Sequence, residues 1–447
     1  MSIQQEYIAR IERTRPYRWL GRVSKIIGLV VESNGPAASV GEMVEIRSLD
    51  GSRVVTAEVV GFRDDRTLLM PLSEMSGIAY GDEVVSRGRL FSLGVSENLL
   101  GRVVDGLGNP IDGRGPILSS QERLVHGHAP CPMDRPCIVE PLPIGVRAID
   151  GLLTCGKGQR IGIFGGSGVG KSMLLGAIAK HTKASVNVIA LVGERGREVR
   201  DFLQHNLQDA LEHSVVVAAT SDQPALVRMK GAFVATTIAE YFRDLGHDVM
   251  LIMDSVTRVA TAMREVGLAI GEPPTTRGYT PSVFAMLPKL LERAGRNRKG
   301  SITGFYAVLV EGDDTNEPLS DQVRSILDGH IVLSRKLASR GFYPAIDIHE
   351  SVSRTMPDIV TKEHLGAAQR FKAITYTYRE AEDMVNIGAY KKGSSADIDQ
   401  AIAFCPRANE YRRQTVNECS HDMQRDVQRL VELVQEPAPN LKGANLT

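Results

Sequence analysis

Between Gly21 and about Arg87 the chain alternates short runs rich in Val, Ile and Leu with turn-forming residues. The runs are Arg22–Glu32, Glu42–Ser48, Arg53–Phe62 and Arg66–Leu72, and Asn34-Gly35-Pro36, Asp50-Gly51 and Asp64-Asp65 stand between them. Asp-Gly tolerates the positive φ of a tight hairpin, so these runs predict closely spaced antiparallel strands in a small barrel or sandwich ending near Leu90. Leu99–Val104 predicts a further strand, turned at Asp105–Pro110, and the Pro/Gly-rich stretch Ile111–Pro143 predicts a long surface connection.

The pattern changes near Gly158. Almost wholly apolar runs at Gln159–Phe164, Val186–Val192, Val215–Thr220 and Asp248–Met253 predict buried strands, and Lys171–His181 and Pro224–Leu245 predict helices between them. Strands apolar along their length, alternating with helices, predict a parallel sheet covered on both faces. After Ile359 apolar residues step by three and four. One stripe is Phe371, Ile374, Tyr378, Ala381 and Val385; a second is Val416, Cys419, Met423, Val427, Leu430 and Val434. Both predict helices with one buried face. The expected divisions are an N-terminal segment 1–20, a β-barrel 21–91, an α/β domain 92–361 and a helical domain 362–447.

Composition narrows the function. The 447 residues carry 53 Lys plus Arg against 53 Asp plus Glu, so no bulk positive field exists to hold nucleic acid or an anionic membrane. Five cysteines in so long a chain form no regular pattern, which predicts a reducing compartment, the cytoplasm. The first twenty residues have charges spread through them and no apolar core, so no secretory signal is expected. No run approaches the roughly 18 apolar residues that span a bilayer, so any membrane association would be by docking.

Gly165-Gly166-Ser167-Gly168-Val169-Gly170-Lys171-Ser172 follows a predicted strand and opens a predicted helix. Glycines there let backbone N–H groups turn toward phosphate oxygens, Lys171 supplies a positive charge to them, and the Ser172 hydroxyl can ligate Mg²⁺. The apolar run Val249–Met253 ends in Asp254, a carboxylate at a strand tip where ligands bind in open α/β sheets and where it could hold the same metal. Glu194 leaves the sheet at the same edge, after Val188–Val192. It could polarise an attacking water, or it could simply pair with Arg195 or Arg197, and spacing alone does not separate the two. His126, His128, Cys131 and Cys137 lie close together, but their gaps do not suit a structural zinc site, so they are expected to be solvated loop residues.

GGSGVGKS, LVGERGREV, DVMLIMDSVTR and YPAIDIHESVSR, in that order, resemble the catalytic-subunit family of rotary ATP synthases and its homohexameric relatives, the ATPases of type III protein export. The resemblance implies a RecA-like P-loop domain between an N-terminal β-barrel and a C-terminal helical domain, in a ring of six with ATP and Mg²⁺ at sites between neighbours. It implies that Glu194 is the catalytic glutamate and Arg195 a site arginine. It further implies that Arg354 reaches into the neighbouring subunit's site and that Tyr343 packs on the adenine ring. Gly271–Tyr279 and Leu287–Gly295 look like the export ATPases, and Ile387–Ser394 stands where the synthase carries the acidic run that engages its rotor. Gly28–Glu32, Val310–Asp314 and Gly388-Ala389-Tyr390 look more like the flagellar than the virulence branch, which stays the alternative, with a rotary synthase subunit behind it. The implied partners are flagellar export regulator and stalk proteins, an export gate and chaperone–substrate complexes, at a cytoplasmic station peripheral to the inner membrane. A ring-shaped RNA translocase would share the nucleotide domain, but no basic, aromatic-bearing module accompanies it here. A non-catalytic nucleotide-binding ring subunit is the other rival, and Glu194 opposes it.

Overall fold

Gly28 settles the first departure from the sequence pattern. It takes a left-handed φ of +56°, and the expected single strand Arg22–Glu32 folds back there into β1 (Leu20–Ile27) and β2 (Val30–Asn34), with Ile27 opposite Val30. A computed structural model describes residues 20–310, 312, 317–416, 418 and 422–435. The strands β3 (Glu42–Arg47) and β4 (Val54–Arg63) form the hairpin signalled by Asp50-Gly51, and β5 (Arg66–Pro71) and β6 (Glu83–Leu90) follow. These six close into a barrel in the order β1-β2-β5-β4-β3-β6, filled by Val31, Val44, Ile46, Val59, Leu69 and Val84.

The expected strand Leu99–Val104 is only partly a strand. A short 3₁₀ turn covers Glu97–Leu99, and β8 is confined to Val103–Asp105, between β7 (Ser92–Val95) and its partner β9 (Gln121–Leu124). After helix α1 (Arg147–Leu152) comes the α/β alternation. It runs β10 (Arg160–Gly165), α2 (Lys171–His181), β11 (Val186–Val192), α3 (Gly196–Asp201), β12 (Ser214–Ala219), α4 (Ala225–Asp244), β13 (Asp248–Asp254) and α5 (Val256–Ile270). It continues through α6 (Pro281–Leu291), β14 (Gly295–Arg296), β15 (Ser301–Leu309), α7 (Pro318–Ile326), β16 (Gly329–Leu333), α8 (Arg335–Ser339) and β17 (Ile346–Ser353).

The sheet order is β17-β16-β10-β15-β13-β11-β12-β8, with β14 on β15. It is parallel as expected except at β17 and β14, which pair antiparallel. β17 returns directly from β16 through the short α8, with no crossover helix to reverse its direction. The central strands β11, β12 and β13 are buried almost throughout, because helices cover both faces.

Helices α9 (Met356–Ile359), α10 (Lys362–Asn386), α11 (Ala396–Arg412) and α12 (Met423–Gln435) complete the described chain. Phe371 of α10 meets Phe404 of α11 edge-on at 5.3 Å, and Leu430 and Val434 seat α12 on α10 and α1. Val416 of the second expected stripe lies in a turn before α12, and Cys419 falls outside the described residues. The barrel is tied to the nucleotide domain by a buried pair, Glu58 of β4 with Lys230 of α4, whose ammonium also sits 4.8 Å from the Phe91 ring centroid. Among the described residues no helix is long and apolar enough to cross a membrane.

Candidate active site

β10 delivers the chain to the sheet edge at Gly165, and α2 opens at Lys171. The loop between them needs two left-handed residues, Gly168 at φ +78° and Gly170 at φ +90°. Buried Val169 anchors the loop, while Ser167 and Gly168 stand exposed above it. At Gly165 a side chain would have no room, since a Cβ there would lie 3.0 Å from Leu333 and Val169. This cradle carries the N-terminus of α2, whose free N–H groups favour a phosphate.

Strand β13 ends at Asp254, and its buried Oδ1 lies 2.9 Å from Lys171 Nζ. The loop after β11 places Glu194 over the same edge, with Oε1 3.4 Å from Arg258 Nε of α5. Burial, a hydrogen bond donated to neighbouring Glu198 and the charge of Asp254 together push Glu194 up to about 7. Glu198 moves down, held ionised by the proton that Glu194 keeps. Ser172, Glu194 and Asp254 line one open cleft, and Arg197, His205 and Asn206 form its outer wall. Asn206 also donates from Nδ2 to the Ser172 carbonyl at 3.4 Å, across a π-helical stretch from Phe202 to Leu207.

On the other side of α2 an apolar pocket opens between Met173, Ala177, Leu333, Tyr343 and Val416. Tyr343 leaves 42% of its surface exposed, and Gly170 has no side chain to intrude, since a Cβ there would lie 3.2 Å from the Tyr343 ring. Gln414 holds the pocket together. Its N–H donates to Tyr343 O at 3.0 Å, its Nε2 to Gly145 O at 2.7 Å, and its Oε1 accepts from Arg147 N at 2.8 Å. The segment Gln414–Val416 was not expected at this pocket, Val416 being read only as part of a helical stripe, and it lies too far along the chain from the phosphate loop for any spacing rule to join them. Arg258 and Glu198 were also missed, although both sit inside quoted motifs, because their neighbours depend on how α3 and α5 pack.

Two expected residues are not brought to this cleft. Arg195 is exposed at the start of α3 and does not line it, while Arg197 does. Arg354 is exposed just past β17, its N–H bonded to Asp328 O at 3.0 Å. Ile346 pairs with Leu333 beside the phosphate loop, and Ser353 pairs with Gly329 at the far end of β16. At about 3.3 Å per residue the register puts Arg354 roughly 15 Å from its own phosphate loop, toward the opposite edge of the sheet. Of the His/Cys group, His126 lies 5.3 Å from the Phe233 ring and 3.5 Å from Lys230 Nζ, and Cys131 and Cys137 are exposed free thiols. Among the described residues no three potential metal ligands gather.

Comparison with known proteins follows the same division. The ATP synthase alpha/beta family matches through its β-barrel domain at residues 23–88 and its nucleotide-binding domain at residues 145–353, and the T3SS EscN ATPase C-terminal domain matches residues 360–432. The flagellum-specific ATP synthase of Bacillus subtilis (strain 168) is 54% identical over 422 residues, covering 93% of this chain and 95% of that protein. The type 3 secretion system ATPase of Xanthomonas euvesicatoria is 48% identical over 404 residues, 90% of this chain and 91% of its own. Among solved structures, the assembled ATPase EscN from the enteropathogenic E. coli type III secretion system superposes with a TM-score of 0.88 at 46% identity, over 93% of this chain and 100% of that one. The same ATPase in complex with its central stalk EscO gives 0.85 at 46% identity, with the same coverage of both chains.

Proposed function

Because this chain belongs to the ATP synthase alpha/beta family and is an ATPase of its type III export branch, we propose that six copies form a ring that hydrolyses Mg-ATP to energise flagellar protein export. The phosphate-loop amides receive the β and γ phosphates, and Lys171 turns from Asp254 to them. Ser172 and Asp254 offer only oxygen donors at one cleft, and the buried Asp254 Oδ1 meets only the Lys171 ammonium, a set that suits a hard cation. Bound there, Mg²⁺ would supply neutralising charge to the phosphates. Glu194 takes a proton from water as the water oxygen bonds to the γ phosphorus and the bond to the ADP oxygen breaks. Its pKa of about 7 suits that task near neutral pH, and Arg258 holds its carboxylate in place. Tyr343 supports the adenine from the pocket beside α2.

The observation that supports a shared site is the position of Arg354, exposed and far from its own phosphate loop, which suits a role at a neighbour's site. The test is ATP turnover per subunit against protein concentration, for the unaltered chain and Arg354→Ala. The first is expected to rise steeply as rings assemble. The variant is expected to stay low and flat, since an arginine acting across subunits is worth about 10³–10⁵ in rate. Turnover independent of concentration and indifferent to Arg354 would overturn the shared site.

The flagellar assignment draws on the relative at 54% identity, against 48% for the secretion ATPase. Flagellar export regulator and stalk proteins, an export gate and chaperone–substrate complexes at the inner membrane complete the reading. A stalk partner in the ring's centre is suggested by the solved complex of EscN with EscO. Rescue of motility in a bacterium lacking its own flagellar export ATPase would support the assignment, and rescue of virulence secretion alone would shift it to the other branch.

A further inference from the structure

A second polar cavity, of about 350 Å³, lies between the nucleotide domain and the helical domain, walled by α8, Phe342 and β17 on one side and by α10 and the end of α11 on the other. That volume falls within the range of small-molecule sites. Five cationic side chains and two carboxylates line it. The carboxylates are already engaged. Glu382 accepts from Lys336 at 3.3 Å and Arg340 at 2.8 Å, and Asp347 accepts from Arg379 at 3.4 Å and from the His349 N–H at 3.0 Å.

Arg412 and Arg413 are left over. Their guanidinium carbons lie 4.9 and 5.0 Å from the centroid of the single Phe342 ring, so two like charges sit within 10 Å of each other; among the described residues neither makes a direct salt bridge, and Asp347 acts on Arg412 only through its charge. Arg412 is 8% exposed, donates from Nη2 to Ile346 O at 2.9 Å, and has no acceptor for its Nε. Burial drags its pKa down to about 10, so the fold works against this charge and yet leaves it in place beside an open cavity. His349 is pushed down to about 4 by burial and adds no charge at neutral pH. A clamp between the two domains would need one arginine on Ile346 and no cavity. An oxyanion in the cavity would account for two arginines on its wall, because a guanidinium fork matches two oxygens of a phosphate at once.

We propose that this interdomain cavity is a binding site for a small phosphate-bearing anion, separate from the phosphate loop and held by Arg412 and Arg413 with Arg340 at its rim. It is joined to the base pocket by the chain itself. Arg412 and Arg413 run directly into Gln414, whose N–H fixes Tyr343 O, and Phe342 precedes Tyr343. An anion drawing the two arginines together therefore bears on the adenine platform.

The test uses the full chain carrying Lys171→Ala, which weakens phosphate binding at the loop, and inorganic pyrophosphate as the probe. Titration calorimetry at constant ionic strength is expected to give one saturable event per chain. Adding Arg413→Gln, at an exposed position, or Arg340→Gln is expected to weaken it at least tenfold, with far-UV circular dichroism unchanged. Arg412→Gln is expected to abolish it and serves as a third arm where the variant folds. Absence of saturable binding in the Lys171→Ala chain overturns the proposal. So does binding that is equally tight in Arg413→Gln and Arg340→Gln, since the probe would then be seated elsewhere.

Discussion

Among the described residues two lysine–carboxylate pairs, Lys171 with Asp254 and Lys230 with Glu58, sit largely out of solvent, and they differ in what surrounds them. Lys171 and Asp254 meet at 2.9 Å at the tip of the sheet, with the cleft of Glu194 and Ser172 open beside them. Lys230 and Glu58 meet between barrel and nucleotide domain, where Lys230 has no exposed surface, Phe91 covers it and His126 stands 3.5 Å away. Charge, pairing and burial are alike in both. The first opens onto a cleft, so on the proposed reading a phosphate replaces the carboxylate at Lys171. The second is sealed, so its charges serve only to hold two domains in register. Burial of an ion pair therefore does not mark chemistry; an accessible volume and backbone donors facing it do.

The contrast can be broken most severely at Lys171. Lys171→Ala is expected to lower the turnover of the folded fraction by at least about 10³-fold, as steady-state kinetics on the folded protein would read. Lys230→Met should act in the opposite way. It leaves Glu58 uncompensated and should cost about 3–5 kcal/mol in denaturant unfolding, while the folded fraction keeps its turnover. Lys230→Met with Glu58→Leu should recover most of that loss. If the single variant unfolds normally but loses activity, the sealed pair is not merely structural.

Two smaller effects sharpen the same distinction. Glu58 and Glu194 are both pushed upward by burial, but only Glu194 faces an open cleft. A base must be ionised to accept a proton, so kcat/KM should fall about tenfold for each pH unit below about 7 and level off above it. Glu198→Gln removes the neighbour that keeps Glu194 protonated and should move this limb to lower pH; a limb that does not move assigns the titration to another group. Tyr343→Ala should be mildest, raising KM for ATP several-fold with kcat little altered, since it removes one face of base packing. A fall in kcat alone would place Tyr343 elsewhere in the cycle.

The parts of the site legible in the sequence were those carried by local order. A glycine loop joining an apolar strand to a helix, and an apolar strand ending in Asp254, need no distant partner to be recognised. The boundaries of α2 and β11 were legible for the same reason, because solvent and core alternate sharply there. The hairpin hidden in Arg22–Glu32 was not, since every residue around Gly28 suits a strand and only the glycine's φ reverses the chain. Nor was the direction of β17, which depends on the absence of a crossover after β16. The far wall of the apolar pocket comes from Gln414–Val416, brought there by packing of α10, α11 and α12, and only the folded chain joins it to Tyr343.

The closed barrel at the start of the described chain has a consequence for crowding. Each of its six strands has a neighbour on both sides, β1 with β2 along its length and with β6 over Leu20–Arg22, so among the described residues it offers less open edge to a stray strand than an unclosed sheet would. Leu20, Ile26, Leu29 and Phe62 nonetheless point apolar surface outward. When many such barrels meet, contact between them therefore runs more readily through side chains, which can be parted again, than through a shared β-ladder of the kind that grows into fibres.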